Sequence, residues 1–346
     1  MSTFKPDINS YTIEQLNNME VDTLIELYKL SVKQVQEYNA CIVQLRVKAD
    51  ILRQHCKLLK SVIIPNSINT ICDEAFFNCT SLESIIIPNS VNTIGNDAFY
   101  NCKSLKSIII PNFVNTIGDH AFDHCKTLKS IIIPNSVNTI GKYTFRICTS
   151  LKSIVIPDSV KSIDNGAFSS CTSLQSVVIP DSVKTIGNYA FKGCESLESI
   201  IIPNSVTSIS DGAFYECTSL ISVTIPNSVI TIGERAFYYC KLLKYVVIPD
   251  SVKTIGERAF YNCKSLKSVV FGLSVTNIGN SAFSFCISLQ SVVIPDSVNT
   301  IGIRAFSGCK SLKTVIINGL LTEYLKEYFE TNYPKIDLEY NDYLLK

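Results

Sequence analysis

Twelve of the 14 cysteines recur at one fixed interval, and this interval constrains the fold more than any other feature of the chain. They follow one another every 23 residues, without an insertion or deletion, at Cys56, Cys79, Cys102, Cys125, Cys148, Cys171, Cys194, Cys217, Cys240, Cys263, Cys286 and Cys309. A fixed period of this size is typical of solenoids, in which each unit is one turn that buries its apolar side only against its neighbours. Eleven complete units span residues 56–308, and a partial twelfth covers 309–318.

Each unit carries the same apolar pattern. The unit from Cys79 to Asn101 reads CTSLESIIIPNSVNTIGNDAFYN, and its cysteine is taken as position 1. Apolar residues recur at positions 1, 4, 7, 9, 13, 16, 20 and 21, which predicts one continuous core. Positions 4–9 are rich in β-branched residues and end at a proline, which indicates a short strand stacked in parallel on its equivalents. Glycine at position 17 of eight units indicates a bend that needs either positive φ or close backbone approach.

The pattern C-x-S-L-x-S-I-x-I-P-x-S-V-x-x-I-G-x-x-A-F closely resembles the BspA-like subclass of leucine-rich repeats, over about three quarters of the chain. The resemblance implies a curved leucine-rich-repeat solenoid, with a parallel β-sheet on one face and short strands and turns on the other. It also implies protein binding, often as a cell-surface adhesin of bacteria and parasitic protists. The family offers no shared catalytic residues to carry over, and a fold does not fix a function.

The cysteines are predicted to be a ladder of buried free thiols. Equivalent cysteines on neighbouring turns lie one rung, about 4.8 Å, apart and point the same way, whereas a disulfide needs converging Cβ atoms about 3.8 Å apart. No CxxC pair occurs, and His55, His120 and His124 are too few to complete typical metal sites. We therefore predict neither a metal nor a cofactor. His120 and Asp123 leave two alternatives open, a loose metal site or solvated surface residues.

The two ends depart from the repeat. Residues 1–55 are predicted to be a helical N-terminal cap or a coiled-coil segment, because 7–64 contains neither Gly nor Pro and apolar residues alternate by four and three within 22–54. Capping of the first rung, self-association through 22–54 and docking of another partner remain open. Residues 319–346 are predicted to be the opposite cap, with a helix over 320–331.

The sequence favours a cytoplasmic location. No N-terminal segment has the basic-then-apolar design of a signal peptide, and no apolar run approaches 18 residues. Free thiols also favour a reducing compartment. The alternative is the cell surface, reached by a non-classical route.

An outward apolar stripe is the predicted binding site. If positions 7 and 9 face the core, positions 6 and 8 face outward. Position 6 is mostly serine, whereas position 8 is mostly Ile or Val, at the candidate binding residues Ile86, Ile109, Ile132, Val155, Val178, Ile201, Val247 and Val270. Such a stripe typically marks an interaction surface. The alternative is that these residues only favour the strand and shield the sheet.

Lysines at positions 2 and 5 form a second linear feature. Six units carry both, at Lys57 and Lys60, Lys103 and Lys106, Lys126 and Lys129, Lys241 and Lys244, Lys264 and Lys267, and Lys310 and Lys313. This edge attracts an acidic partner or serves as a solvated edge that discourages stacking between molecules. The net charge of +1 argues against a dedicated nucleic-acid binder.

No motif indicates catalysis. GxSxG, P-loop and HExxH motifs are all missing from the sequence. We therefore predict a non-catalytic scaffold that has no small-molecule substrate and binds a protein partner through the sheet face of the solenoid. The alternative is a surface or secreted adhesin.

Overall fold

The repeats form a solenoid in which each 23-residue unit is one turn. The computed structural model describes residues 56–318, 323–334 and 336–341. The predictions for 1–55, including self-association through 22–54, lie outside these residues. Each turn has a front strand at positions 6–8 and a two-residue side strand at positions 15–16, and the prediction of a parallel β-solenoid of the leucine-rich-repeat type is confirmed. The side strands are the short strands that the resemblance implies outside the front sheet.

Front and side strands alternate along the chain. The front strands are β1 (Ser61–Ile63), β3 (Ser84–Ile86), β5 (Ser107–Ile109), β7 (Ser130–Ile132), β9 (Ser153–Val155), β11 (Ser176–Val178), β13 (Ser199–Ile201), β15 (Ser222–Thr224), β17 (Tyr245–Val247), β19 (Ser268–Val270), β21 (Ser291–Ile294) and β23 (Thr314–Asn318). The side strands are β2 (Thr70–Ile71), β4 (Thr93–Ile94), β6 (Thr116–Ile117), β8 (Thr139–Ile140), β10 (Ser162–Ile163), β12 (Thr185–Ile186), β14 (Ser208–Ile209), β16 (Thr231–Ile232), β18 (Thr254–Ile255), β20 (Asn277–Ile278) and β22 (Thr300–Ile301). Helix α1 (Glu323–Asn332) and strand β24 (Asp337–Asn341) follow the last repeat.

All strand pairs are parallel, and their register is the sequence period. Ser107 pairs with Ser130 in the front strands, and Thr231 pairs with Thr254 in the side strands. Between paired front strands, position 5 continues the ladder, as where Lys129 N donates to Lys106 O at 3.1 Å. Because the strands repeat with no insertion, the same side-chain type stacks on itself in every row.

Phenylalanine at position 21 forms the largest of these rows. Ten consecutive ring pairs, from Phe76–Phe99 to Phe283–Phe306, have centroids 5.1–5.6 Å apart and planes within 3–11° of parallel. Every ring is buried. The predicted core positions therefore meet as one continuous column, to which each turn contributes one ring.

The thiol ladder is present. Each cysteine from Cys102 to Cys309 donates its Sγ–H to the carbonyl of the phenylalanine 26 residues earlier, at 3.0–3.3 Å. Cysteine therefore fills a small buried space and also gives the phenylalanine carbonyl a second donor, beside the backbone N–H three residues after that phenylalanine. Burial raises the pKa of the nine thiols from Cys102 to Cys286, to about 12 at Cys102 and Cys171.

One pair departs from the ladder. The structure joins Cys56 and Cys79 in a disulfide, with their Cα atoms 4.8 Å apart. The expectation that neighbouring rungs never pair is therefore wrong at this position. The physical reason is that the rung spacing lies within the Cα range that a disulfide accepts, and the Cys56 thiol stands at the partly exposed start of the described array.

We expect thiol counting in denaturant to detect this bond. Without reductant, Ellman titration should find about 12 of the 14 cysteines, and reduction should restore the remaining two. Cys56→Ser serves as the control, because it leaves 13 cysteines with no partner for Cys79 and should titrate fully before reduction. Fourteen thiols in the unreduced wild type would contradict the disulfide.

Glycine occupies position 17 because the backbone of the preceding turn approaches closely there, and not because the residue has positive φ. A Cβ on Gly187 would lie 2.6 Å from the backbone nitrogen of Asn165 on the preceding turn. The positive-φ residues instead occupy positions 19 and 23 of every complete unit, and most are not glycine, as at Tyr189 (57°) and Asn262 (60°). Alternation of these residues with right-handed ones turns N–H groups to one side of the chain and carbonyls to the other.

This alternation builds an arc, defined here as positions 17–23, in which three N–H groups of each turn point toward the next turn. The N–H groups of positions 19, 21 and 23 donate to carbonyls of the next turn, as from Phe168 N to Ala190 O at 2.8 Å. At the last turn the helix segment supplies acceptors instead. Tyr333 Oη accepts from Phe306 N at 3.1 Å, and Tyr328 Oη accepts from Ala305 N at 3.3 Å.

The C-terminal segment keeps the 23-residue register although its sequence lacks the repeat motif. A helix lies within the predicted segment, and its Phe329 follows Phe306 by 23 residues and stacks on it at 6.2 Å. Strand β24 pairs with β23, with Asp337 opposite Thr314, again 23 residues apart. Residues that follow the helix thus extend the front sheet by one more strand.

Candidate interaction surface

The position-8 side chains lie on the outer face of the front strands. The eight candidate residues are between 56% and 78% exposed, with Val270 lowest and Ile109 highest. From Ile86 to Ile201 they occupy six consecutive turns, a stripe about 24 Å long at the usual strand spacing. Thr224 interrupts this apolar stripe before Val247.

The stripe is outward because strand side chains alternate. In β5, Ser107 and Ile109 are exposed while Ile108 between them is buried. The side chain that follows the strand, Ile110, is also buried. The Ile and Val residues at position 8 therefore contribute nothing to the core, and their apolar area is available to another surface.

The lysines of positions 2 and 5 border this face, and all twelve of the paired lysines are exposed. Lys106 Nζ lies 2.6 Å from Glu83 Oε2 on the neighbouring turn. This bond lowers the pKa of Glu83. Because both side chains are solvated, the ion pair adds little to stability, and the edge is polar without being a fixed network.

The His120–Asp123 region differs from both sequence alternatives. Asp123 is fully buried, and its carboxylate accepts from His120 Nδ1 at 2.9 Å, His124 Nδ1 at 2.8 Å and Arg146 Nε at 2.9 Å. The interpretation as solvated surface is therefore wrong for Asp123. Within the described ranges no group of three potential metal ligands comes together, and the arginine occupies the carboxylate instead.

Aromatic residues also line the arc. Tyr215, Tyr238 and Tyr261, all at position 22, stack with centroids 4.7 Å and 5.0 Å apart. Next to them, toward the N-terminal end, position 22 changes to Lys192, Ser169 and Arg146. No local pattern places these tyrosines in one row with the cations, because only the fold shows that the position-22 side chains follow one another along the arc.

The described residues contain no candidate membrane-spanning helix. Across the part of the chain that the structure describes, no helix combines the length and the apolar character that a bilayer span requires.

Comparison with known proteins gives consistent results. The model of the BspA type leucine rich repeat region matches residues 52–175, 138–263 and 231–341. A leucine-rich repeat protein from Bacteroides ovatus ATCC 8483 is 31% identical, with a TM-score of 0.65 over 83% of this chain and 85% of that chain. A leucine rich cell surface protein from Faecalibacterium prausnitzii A2-165 is 31% identical, with a TM-score of 0.53 over 83% and 89%.

A third leucine-rich repeat protein, from Eubacterium ventriosum ATCC 27560, is 27% identical, with a TM-score of 0.53 over 77% of this chain and 76% of that chain. No curated protein matches the chain. The family model matches well over half of the sequence. The chain therefore belongs to the BspA-type leucine-rich repeat family.

Proposed function

We propose that this protein is a non-catalytic interaction module that binds a protein partner through the apolar stripe of its front strands. The observation that carries the proposal is the run of exposed Ile and Val side chains from Ile86 to Ile201. A partner with a complementary apolar ridge would remove these side chains from water, at about 25 cal/mol per Å². The exposed lysines beside the stripe would favour a partner with an acidic rim.

We further propose that it acts at the cell surface, the alternative that the sequence left open, and not in the cytoplasm. The similarity to a leucine rich cell surface protein supports this location, and the Cys56–Cys79 disulfide is compatible with an oxidising environment. The remaining free thiols do not require a reducing compartment. Those from Cys102 to Cys286 are buried with raised pKa, so they carry little of the thiolate that reacts.

Negative charges introduced into the stripe should weaken binding of the partner. We expect the double variant Ile109→Glu and Ile132→Glu to lower affinity at least tenfold, because two buried apolar contacts become desolvated charges. Capture experiments from fractions of the native organism and of its surroundings, with wild type and variant side by side, measure this. The free energy of unfolding should stay within about 0.5 kcal/mol, since both side chains are solvated.

Ile303→Glu is the matched control. Ile303 is 71% exposed, as the stripe residues are, but it lies at position 18 on the arc and not on the front strands. The control should retain the captured partner. Equal capture by all three proteins would remove the stripe from consideration.

Protease treatment of intact cells tests the location separately. A surface protein should be cleaved while a cytoplasmic marker stays whole. Full protection of this chain, with cleavage only after lysis, would contradict the surface proposal. It would not bear on the proposal that the stripe binds a partner.

A further inference from the structure

A concave site lies on the arc, apart from the stripe on the front strands. Its volume is about 390 Å³, within the range of small-ligand pockets. The lining residues share positions 19 and 22 of consecutive turns and are Tyr143, Arg146, Ser169, Tyr189, Lys192, Tyr215 and Arg235. Three are tyrosines, three are cations and none is acidic. We call this site the arc pocket.

The pocket exists because two small residues interrupt rows of long side chains. Position 19 is Gly166 between Tyr143 and Tyr189, and position 22 is Ser169 between Arg146 and Lys192. A Cβ on Gly166 would collide with the Tyr143 ring, which lies across that glycine. The repeat thus leaves a depression whose walls are side chains from the turns before and after.

The cations of the pocket differ in how far they are neutralised. Arg146 is held by the buried Asp123, with Nη2 2.9 Å from Oδ2, and Arg235 Nη1 lies 2.8 Å from Glu234 Oε1. Lys192 has no acidic partner among the described residues. Its ammonium lies 5.0 Å from the Tyr215 ring centroid and 5.7 Å from that of Tyr189. Lys192 is therefore the pocket cation that is available to bind an anionic ligand.

Ser169 supplies an independent sign of a ligand. Its side chain is 7% exposed and lines the pocket, and its hydroxyl forms no hydrogen bond to any described residue. Two other buried polar residues of the same row are satisfied, Asp123 by its cluster and Ser284 through a bond to Arg304 O. A buried hydroxyl without a partner is costly unless something else bonds to it.

We propose that the arc pocket binds an acidic sugar unit, a ring that carries a sulfate or carboxylate group. Lys192 would meet the anionic group, together with the Ser169 hydroxyl. The tyrosines present flat apolar faces with polar hydroxyls, which suits a sugar ring because it has an apolar face and a polar edge. The Tyr215 hydroxyl is protonated at neutral pH, as an ordinary tyrosine is, and burial raises its pKa further, so it can donate a hydrogen bond.

Titration calorimetry with four probes tests the proposal on the full chain. The probes are a trisulfated heparin disaccharide, its unsulfated counterpart that keeps the uronate carboxylate, maltose and inorganic sulfate. We expect saturable binding of an acidic disaccharide that weakens with salt, with maltose at least tenfold weaker. Stronger binding of the sulfated or of the unsulfated disaccharide identifies the anionic group.

Three variants assign the binding to this pocket. Lys192→Met should weaken it at least tenfold, the usual scale of a charge-assisted hydrogen bond. Ser169→Tyr should fill the pocket without disturbing the fold, because tyrosine is native at position 22 in Tyr215, Tyr238 and Tyr261. Lys241→Met is the control, since Lys241 makes a similar contact to Tyr239 at 5.7 Å in another turn, and it should change affinity less than twofold.

Four results would overturn the proposal. They are no saturable binding of either acidic disaccharide, equal affinity for maltose, sulfate that binds as tightly as the disaccharides, and affinity unchanged by Lys192→Met. None of them bears on the front stripe, because the two sites share no residue.

Discussion

Raising the pH above 9 should unfold the solenoid in one steep transition, with a midpoint between about pH 9.5 and 10.5. Nine buried thiols, from Cys102 to Cys286, have pKa values raised above the ordinary 9.0 by burial. Their folded pKa exceeds the unfolded one, so the native state holds more protons above pH 9. The stability that they contribute is complete below pH 9 and is lost as the pH rises toward about 12.

The size of the effect follows from the number of rungs. In this range each thiol lowers the free energy of unfolding by about 1.4 kcal/mol per pH unit. Nine thiols together lower it by more than roughly 10 kcal/mol per pH unit, which is comparable to the whole stability of an ordinary domain. Circular dichroism during a pH titration under argon, with denaturant unfolding at each pH, measures the slope of the unfolding free energy.

A variant with fewer thiols isolates their contribution. Replacing Cys171, Cys194, Cys217 and Cys240 with alanine leaves five of the nine and should reduce the slope to roughly half. Stability at neutral pH will also fall, because each alanine leaves a small cavity and removes the thiol hydrogen bond to a phenylalanine carbonyl. The test is the slope of the unfolding free energy against pH, and not the stability at neutral pH. A slope equal to that of the wild type would assign the alkaline transition to other groups.

Phe191→Ala should destabilise the protein by about 3–5 kcal/mol, the usual cost of truncating a fully buried phenylalanine. The ring lies 5.3 Å from that of Phe168 and 5.6 Å from that of Phe214, so the cavity would interrupt the column between two neighbours. Because stability in a solenoid is a sum over turns and their interfaces, we also expect the single unfolding transition to broaden or divide. Denaturant unfolding followed by fluorescence and circular dichroism measures both.

The chain supplies its own control in Phe113. It occupies position 12, where most units have serine, and is 68% exposed. Phe113→Ala should change the free energy of unfolding by no more than about 0.5 kcal/mol. A loss below about 1 kcal/mol for Phe191→Ala would mean that neighbouring turns close around the cavity.

Much of this architecture was predictable because the rows repeat. The interval between cysteines sets the register of every strand pair, and the alternation in Ser-Ile-Ile identifies Ile108 as buried and Ile109 as exposed. The stripe could therefore be named residue by residue. Its use as a binding site is a proposal, since the same exposure would result if position 8 only favoured the strand.

Other features follow from contacts between turns, which no local pattern reports. Tyr189 has positive φ although tyrosine carries no signal for it, because the arc hydrogen bonds to the next turn stabilise that conformation. The sequence leaves Asp123 open between a loose metal site and a solvated surface position, because nothing local predicts that Arg146, one turn later, covers it.

The sequence by itself determined the period, the parallel stacking, the core positions and the outward stripe, because each is a property of one unit copied many times. Only the tertiary structure decided the features in which units differ. It pairs Cys56 with Cys79, continues the register through Phe329 and Asp337 without a repeat motif, and opens the arc pocket where Gly166 and Ser169 replace long side chains. The physical reason is that a repeated residue meets its own copy, which periodicity predicts, whereas a substituted one meets a different neighbour, which only coordinates reveal.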